Sequence, residues 1–140
     1  MGKRKKTKKL SYYKNRAWVM FSRFIRTRDC LATTKTLDRG VCVTCDRQFG
    51  FKELQAGHAL GGRNNAILFD EELVNAQCRG CNGYGGGNYG VYSLWFIKKY
   101  GMKEWEEKVI ISKTTRIYKK GDYEAIYEDF KERLGQLLRT

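Results

Sequence analysis

Two Cys-x-x-Cys pairs, Cys42/Cys45 and Cys78/Cys81, are the residues whose type and spacing point most directly to chemistry. Paired knuckles of this kind bring four thiolates around a tetrahedral ion, so Cys42, Cys45, Cys78 and Cys81 are read as ligands of a structural Zn2+. A redox pair would need a helix N-terminus in a βαβ setting, and the pattern offers none. A plain zinc ribbon holds about 15–20 residues between its knuckles. The enclosed segment here, 46–77, is longer, and it contains the single histidine, a glycine-bearing polar loop and the acidic run Asp70-Glu71-Glu72. Zinc would therefore clamp the base of an insertion large enough to house a second site.

His58 is the candidate for that site. It follows Gly57 at the end of a short strand-like stretch and opens the loop Gly61-Gly62-Arg63-Asn64-Asn65, so its ring can face a cleft. Hydrolysis of a phosphodiester near neutral pH needs a base to deprotonate water, and imidazole has a suitable pKa. It also needs a cation to neutralise charge on the phosphate and the departing oxygen. Magnesium or manganese would ask for oxygen ligands, and Asn82, directly after the second knuckle, offers an amide oxygen. The fifth cysteine, Cys30, reads as a small buried apolar residue.

The chain around these residues is strongly basic, with 28 Lys+Arg against 15 Asp+Glu and a formal net charge of +13. Such an imbalance attracts polyanions. No apolar run approaches the roughly 20 residues of a spanning helix, and the basic start leads into Ser11-Tyr12-Tyr13-Lys14 rather than a leader's apolar stretch. These features predict a cytoplasmic protein with a nucleic-acid partner and no membrane. Residues 1–10 read as a disordered basic arm, and 11–140 as a single zinc-containing domain with C-terminal helices. Lys5 and Lys6 of the arm, together with Arg23, Arg26, Arg63 and Arg79, are the expected DNA contacts.

The elements that must position the site are legible in outline. Tyr12 to Arg28 is helical, with Trp18, Phe21 and Ile25 on a core stripe and Arg16, Arg23, Arg26 and Arg28 around it. Gly40 to Cys45 and Phe51 to His58 read as strands forming a loose hairpin. The glycine-rich run 83–88 lacks the Lys-Ser/Thr of a phosphate loop and reads as a turn. Helices follow: one from Val91 ending at Gly101, one from Met102 to Ser112, and one with Asp122 as N-cap carrying Tyr123, Ile126, Tyr127, Phe130, Leu134 and Leu137. The fold class expected from these elements is α+β, mostly helical, with a small strand-bearing core clamped by the four-cysteine zinc knuckle.

The ordered set Cys42-Val43-Thr44-Cys45, Gln55-Ala56-Gly57-His58, Gly62-Arg63-Asn64-Asn65-Ala66-Ile67-Leu68-Phe69-Asp70-Glu71, Gln77-Cys78-Arg79-Gly80-Cys81-Asn82 and Gly87-Asn88 resembles the phage NinG (lambda Rap) recombination nuclease family. The resemblance covers most of residues 17–130. It implies an HNH, or ββα-metal, endonuclease that cuts branched DNA such as Holliday junctions and D-loops during phage recombination. It also implies His58 as general base and Asn82 at the metal-binding last position of the HNH pattern. Where related nucleases place an aspartate before the base, this chain has Gly57. A carboxylate from Asp70, Glu71 or Glu72 would then hold the catalytic Mg2+ or Mn2+, Asp70 being the first choice, or Gln55 and water would serve. The middle Asn of the pattern falls near Leu73, so Asn75 or Asn65 would orient the histidine instead.

The expected partner is branched or distorted double-stranded DNA, engaged through its backbone and read by shape. A homodimer would match the near two-fold symmetry of a four-way junction. The same residues would also suit a non-catalytic zinc-knuckle module that only binds nucleic acid, or a basic packaging protein indifferent to junctions.

Overall fold

In the computed structural model, which describes residues 7–62 and 64–139, a long helix α1 (Leu10–Thr34) leads into two short antiparallel strand pairs and three further helices. β1 (Arg39–Val41) pairs with β2 (Gln48–Gly50), and β3 (Leu54–His58) pairs with β4 (Val74–Cys78). A single π-helical turn, Gly80–Tyr84, follows β4. Then come α2 (Tyr89–Tyr100), α3 (Met102–Ser112) and α4 (Lys120–Leu138). The protein is thus mixed α+β and largely helical, with two small sheets. No described helix is long and apolar enough to cross a membrane.

α1 forms because Ala17, Phe21, Phe24 and Ile25 recur at helical spacing and all are buried. It ends where Lys35 turns left-handed, at φ 63°, and returns its N–H to the Leu31 carbonyl. The stripe packs on α4, where Phe130 meets Phe21 at 4.8 Å and Phe24 at 5.2 Å between ring centroids. Burying such rings contributes about 1.5–3 kcal/mol each. Ala56 of β3 and Val74 of β4 complete this core. A second core gathers Leu73, Tyr92 and Phe96, with Trp105 of α3 against it.

The hairpin expected between Gly40–Cys45 and Phe51–His58 is replaced by a different pairing. β1 closes on β2, and β3 takes as partner β4, whose sequence Val-Asn-Ala-Gln-Cys carries no apolar run. All five β4 residues are nonetheless buried. Main-chain groups on the side away from β3 explain this: Ala76 N donates to the Asp29 carboxylate at 2.7 Å, and Ala76 O accepts from Val43 N at 2.9 Å. Asp29 is held in turn by Arg28, whose guanidinium also reaches Glu71 O, Val74 O and Asn75 Oδ1. Arg28 is therefore a brace between α1 and β4 and is spent before any phosphate arrives.

Helix boundaries also differ, α1 beginning at Leu10 and α2 at Tyr89. α1 runs six residues past Arg28, to Thr34. Asp122 is not the N-cap of α4 but sits at its third position, where its carboxylate accepts the Lys119 N–H at 2.7 Å. The carboxylate satisfies an orphan helix-start donor either way, only in the reverse direction.

Cys30 is fully buried against Leu54 and Ala76, as an apolar residue would be. A Cβ on Gly40 would lie 2.7 Å from its Sγ and 3.0 Å from Leu54 Cδ1. Gly40→Ala is expected to destabilise the protein by about 1–3 kcal/mol through overpacking. Urea denaturation of Gly40→Ala, Cys30→Ala and the double variant checks this, because removing the sulfur relieves the overlap and the two losses should then be clearly less than additive.

Candidate metal centre and histidine cleft

The Cys42 and Cys45 knuckle follows β1 and is closed by Cys42 N donating to Arg47 O and Asp46 N to Cys42 O. Asp46 takes the left-handed conformation the tight turn needs, at φ 60°. The second knuckle joins the end of β4 to the π-helical turn. The hydrogen bonds of Val43 N and Cys78 N, the latter donating to Cys42 Sγ at 3.3 Å, bring the two together. The sulfurs of Cys42, Cys45, Cys78 and Cys81 all lie within 4.8 Å of one another and could hold a metal ion such as zinc.

Electrostatics favour that use. Burial opposes ionisation of Cys42, but donors from Cys78 N, the Thr44 hydroxyl and the Cys45 and Thr44 backbone pull its thiol down to about 6. Burial and the adjoining Cys42 push Cys45 up to about 12, and burial also raises Cys78. One thiolate thus forms readily and suppresses its neighbours, a conflict that a bound dication resolves. The glycine-rich run folds back on this centre: Gly87 N donates to Cys81 O, and Asn88 Nδ2 reaches Cys81 Sγ at 3.8 Å. It is a turn, and its work is to buttress the knuckle.

His58 ends β3. Strand alternation turns Ala56 and His58 toward α1, where the imidazole stacks on Trp18 with ring centroids 5.4 Å apart and planes 14° from parallel. His58 is 5 % exposed and sits 3.1 Å through Nε2 from the Leu68 carbonyl. A carbonyl can only accept, so this bond places the proton of the neutral ring on Nε2 and the basic lone pair on Nδ1. The orienting group is thus a backbone carbonyl. Asn75 is engaged instead by Arg28, Tyr92 and Glu72 O, while Asn65 binds Lys14 and Arg116 O.

A cleft of about 550 Å³ opens on the histidine, lined among others by Trp18, Arg26, Lys52, Gln55, Arg79 and Asn82. His58 and Asn82 therefore share one cavity. Asn82 donates through Nδ2 to Gln55 Oε1 at 2.8 Å, which turns its Oδ1 toward Gly57. Among the described residues, three cations and no carboxylate line the cleft. Arg26 is steadied by Ser22 O and the Phe51 ring, with its pKa lowered by burial and then by Arg23. Arg79 reaches back to Lys52 O at 3.3 Å.

The structure does not bring every expected residue here. Asp70 is committed elsewhere: Oδ1 accepts from the Glu72 and Leu73 backbone, and Oδ2 pairs with Lys108 at 2.8 Å. Glu72 shares Lys108, and Glu71 forms a two-pronged pair with Arg133. The acidic run braces α3 and α4 instead of facing the cleft, because each carboxylate has a buried or half-buried cation closer at hand. Arg23 is exposed and opens onto a groove beside Tyr127, away from the histidine. Lys5, Lys6 and Arg63 lie outside the described residues.

Sequence reasoning does not find Trp18 as a cleft residue, Lys52 on its rim, or Tyr92. The Tyr92 hydroxyl donates to Gly57 O at 2.7 Å from within the core and is held un-ionised by burial. Trp18 reads in sequence as part of the core stripe; it is only partly buried against that core, and it also lines the cleft beside His58. No sequence clue marks Tyr92.

A basic protein with four cysteines placed so that they could hold a metal ion, next to a histidine-bearing cleft, is the class that fold and site define. The model of the family described as "Bacteriophage Lambda NinG protein" matches residues 1–139, and the chain belongs to that phage family. No curated protein and no solved structure matches the chain.

Stripping metal from the protein with a strong chelator is expected to lower its Tm by about 10 °C or more, since ligand binding to the folded state is folding free energy. Thiol titration run alongside should show the four knuckle sulfurs becoming reactive while Cys30 stays protected until global unfolding. Equal melting with and without chelator would remove any stabilising role for the centre.

Proposed function

We propose that this protein is a divalent-metal-dependent endonuclease of the HNH type that cuts branched or distorted duplex DNA in phage recombination. The observation that carries this reading is the joint placement of His58 and Asn82 in one cleft rimmed by Arg26, Lys52 and Arg79. Four thiolates in the knuckles would hold a structural zinc.

On this reading the DNA phosphate enters between the cleft cations, which neutralise it and hold it against the histidine. His58 Nδ1 takes a proton from a water molecule, and the oxygen of that water attacks phosphorus as the bond to the 3′-oxygen breaks. Leu68 O keeps the ring in the required tautomer and stabilises the imidazolium that results. Trp18 fixes the ring plane and excludes bulk water from one face. A magnesium or manganese ion, when bound, would supply charge neutralisation at the scissile phosphate and the departing oxygen. Asn82 Oδ1, turned toward Gly57, would be one side-chain oxygen to hold it. A homodimer would present two such clefts to the near two-fold faces of a four-way junction.

A non-catalytic nucleic-acid-binding module is the second reading, favoured by the absence of any described carboxylate from the cleft lining. Incubating labelled four-way, flap and linear DNA with protein and magnesium, manganese or EDTA separates the two. Cleavage should require the divalent ion. His58→Ala should reduce it by about 10²–10⁴-fold while junction affinity stays within a factor of about two. Binding without metal-stimulated cutting in the wild-type protein would leave only the second reading.

The cleft cations give an independent expectation. Lys52→Ala should weaken binding about equally across DNA sequences and lower the slope of log affinity against log salt by about one. An unchanged slope in a filter-binding titration would place phosphate contact elsewhere.

A further inference from the structure

Gln77 is fully buried on β4, and its Oε1 is a buried side-chain oxygen with no hydrogen-bond partner among the described residues. Such a group is costly to leave unmet and asks for an explanation. Its orientation is no accident of a loose side chain. Nε2 donates to Thr44 Oγ1 at 3.1 Å and to Gly87 O at 2.8 Å, so both amide protons are spent and the oxygen must point the other way. It points at Gly57, where a Cβ would overlap it outright. The same Cβ position lies 3.0 Å from Asn82 Oδ1. Two amide oxygens, each oriented by its own nitrogen's hydrogen bonds, thus converge beside the residue that precedes His58.

We infer that Gln77 Oε1 and Asn82 Oδ1 together form the protein's contribution to a site for a hard divalent cation, with Gln77 occupying the space a side chain at position 57 would otherwise fill. This rests on the reading of the cleft as a cation-assisted cleavage site and names the ligand which that reading lacks. Carbonyl oxygens suit magnesium and manganese, which bind few protein ligands and complete their shell with water and substrate phosphate. Both residues adjoin knuckle cysteines in sequence, Gln77 before Cys78 and Asn82 after Cys81, and Thr44 lies inside the first knuckle. An ion held by the four sulfurs would therefore fix the backbone that carries both oxygens. Gly57 is the complement of Gln77: the strand has no side chain there because the carboxamide already fills that space.

The test is Mn2+ binding to the zinc-loaded full-length protein, read by loss of the free-ion EPR signal, with zinc content and Tm recorded for each variant. Gln77→Leu should weaken Mn2+ binding by at least about tenfold with zinc retained, and Gln77→Glu should strengthen it about as much by adding charge. Gly57→Asp combined with Gln77→Ala, which opens the space the aspartate needs, should restore binding lost in Gln77→Ala alone. Mn2+ binding by Gln77→Leu equal to that of the wild type, or no Mn2+ bound by the wild type at millimolar ion, would overturn the inference. Cleavage assays on the same proteins keep the two ideas separate. Gln77-dependent Mn2+ binding without DNA cutting would remove the nuclease reading and leave the ion site. Metal-dependent cutting with Mn2+ binding indifferent to Gln77 would do the reverse.

Discussion

Four sulfur atoms within 4.8 Å of one another form the constraint on which the rest of this structure depends. They bring residues on either side of a long insertion to a single point, which a bound ion would fix, and β4 and the turn carrying Asn82 both adjoin it. β4 enters the centre at Cys78, and β3 is registered on β4 so that Gly57 faces Asn75 and His58 faces Val74. The π-helical turn leaves the centre carrying Asn82, and the glycine-rich run then returns to cover it. A two-stranded ribbon of five residues per strand has little stability of its own. An ion held by the four cysteines would anchor one end, and packing against α1 supports the other, which together would make the ribbon rigid enough to aim side chains.

Charge in this protein is divided between bracing and binding. Asp70 with Lys108 and Glu71 with Arg133 are partly buried pairs that join elements distant in sequence, and the neighbours Arg28 and Asp29 of α1 together brace β4. Breaking one partner of such a pair costs more than the pair contributes, because the other charge is left unmet. Asp29 and the acidic run Asp70-Glu71-Glu72 are taken up in these braces and do not reach the cleft. Arg26, Lys52 and Arg79 come from three different elements yet meet around His58 with no acid among them. Local removal of carboxylates makes the cleft attractive to phosphate, to an extent that the overall excess of +13 does not by itself convey.

What can be read from the sequence follows from how local each signal is. The paired knuckles, the α1 and α4 stripes and the stop at Gly101 are short-range patterns, and each appears in the structure. β4 is hard to read in sequence because the apolar–polar alternation of Val-Asn-Ala-Gln-Cys is only five residues long and holds a single β-branched residue; its polar residues are buried too, by partners on α1, β3 and the first knuckle. The acidic run resembles a metal site in sequence because carboxylates are the usual ligands of hard ions, and its true cations lie on α3 and α4, far along the chain. An amide side chain is the natural expectation for orienting His58, but the group that does so is the backbone carbonyl of Leu68, which leaves no mark in residue identity.

Gly57 shows how a departure from an expected pattern can carry information once coordinates are known. A missing carboxylate beside the base reads in sequence as the loss of a ligand. In space that position is filled from the opposite strand by a neutral oxygen whose amide is held by two hydrogen bonds. On the proposed reading, exchanging a carboxylate for an amide lowers the charge offered to the ion and so its affinity for the empty protein. The phosphate must then supply the missing negative charge, and ion and DNA would stabilise each other in the cleft. On that same reading, a basic protein that meets far more plain duplex than branched DNA would gain selectivity, because only a backbone bent deeply enough into the cleft would complete the ion's shell.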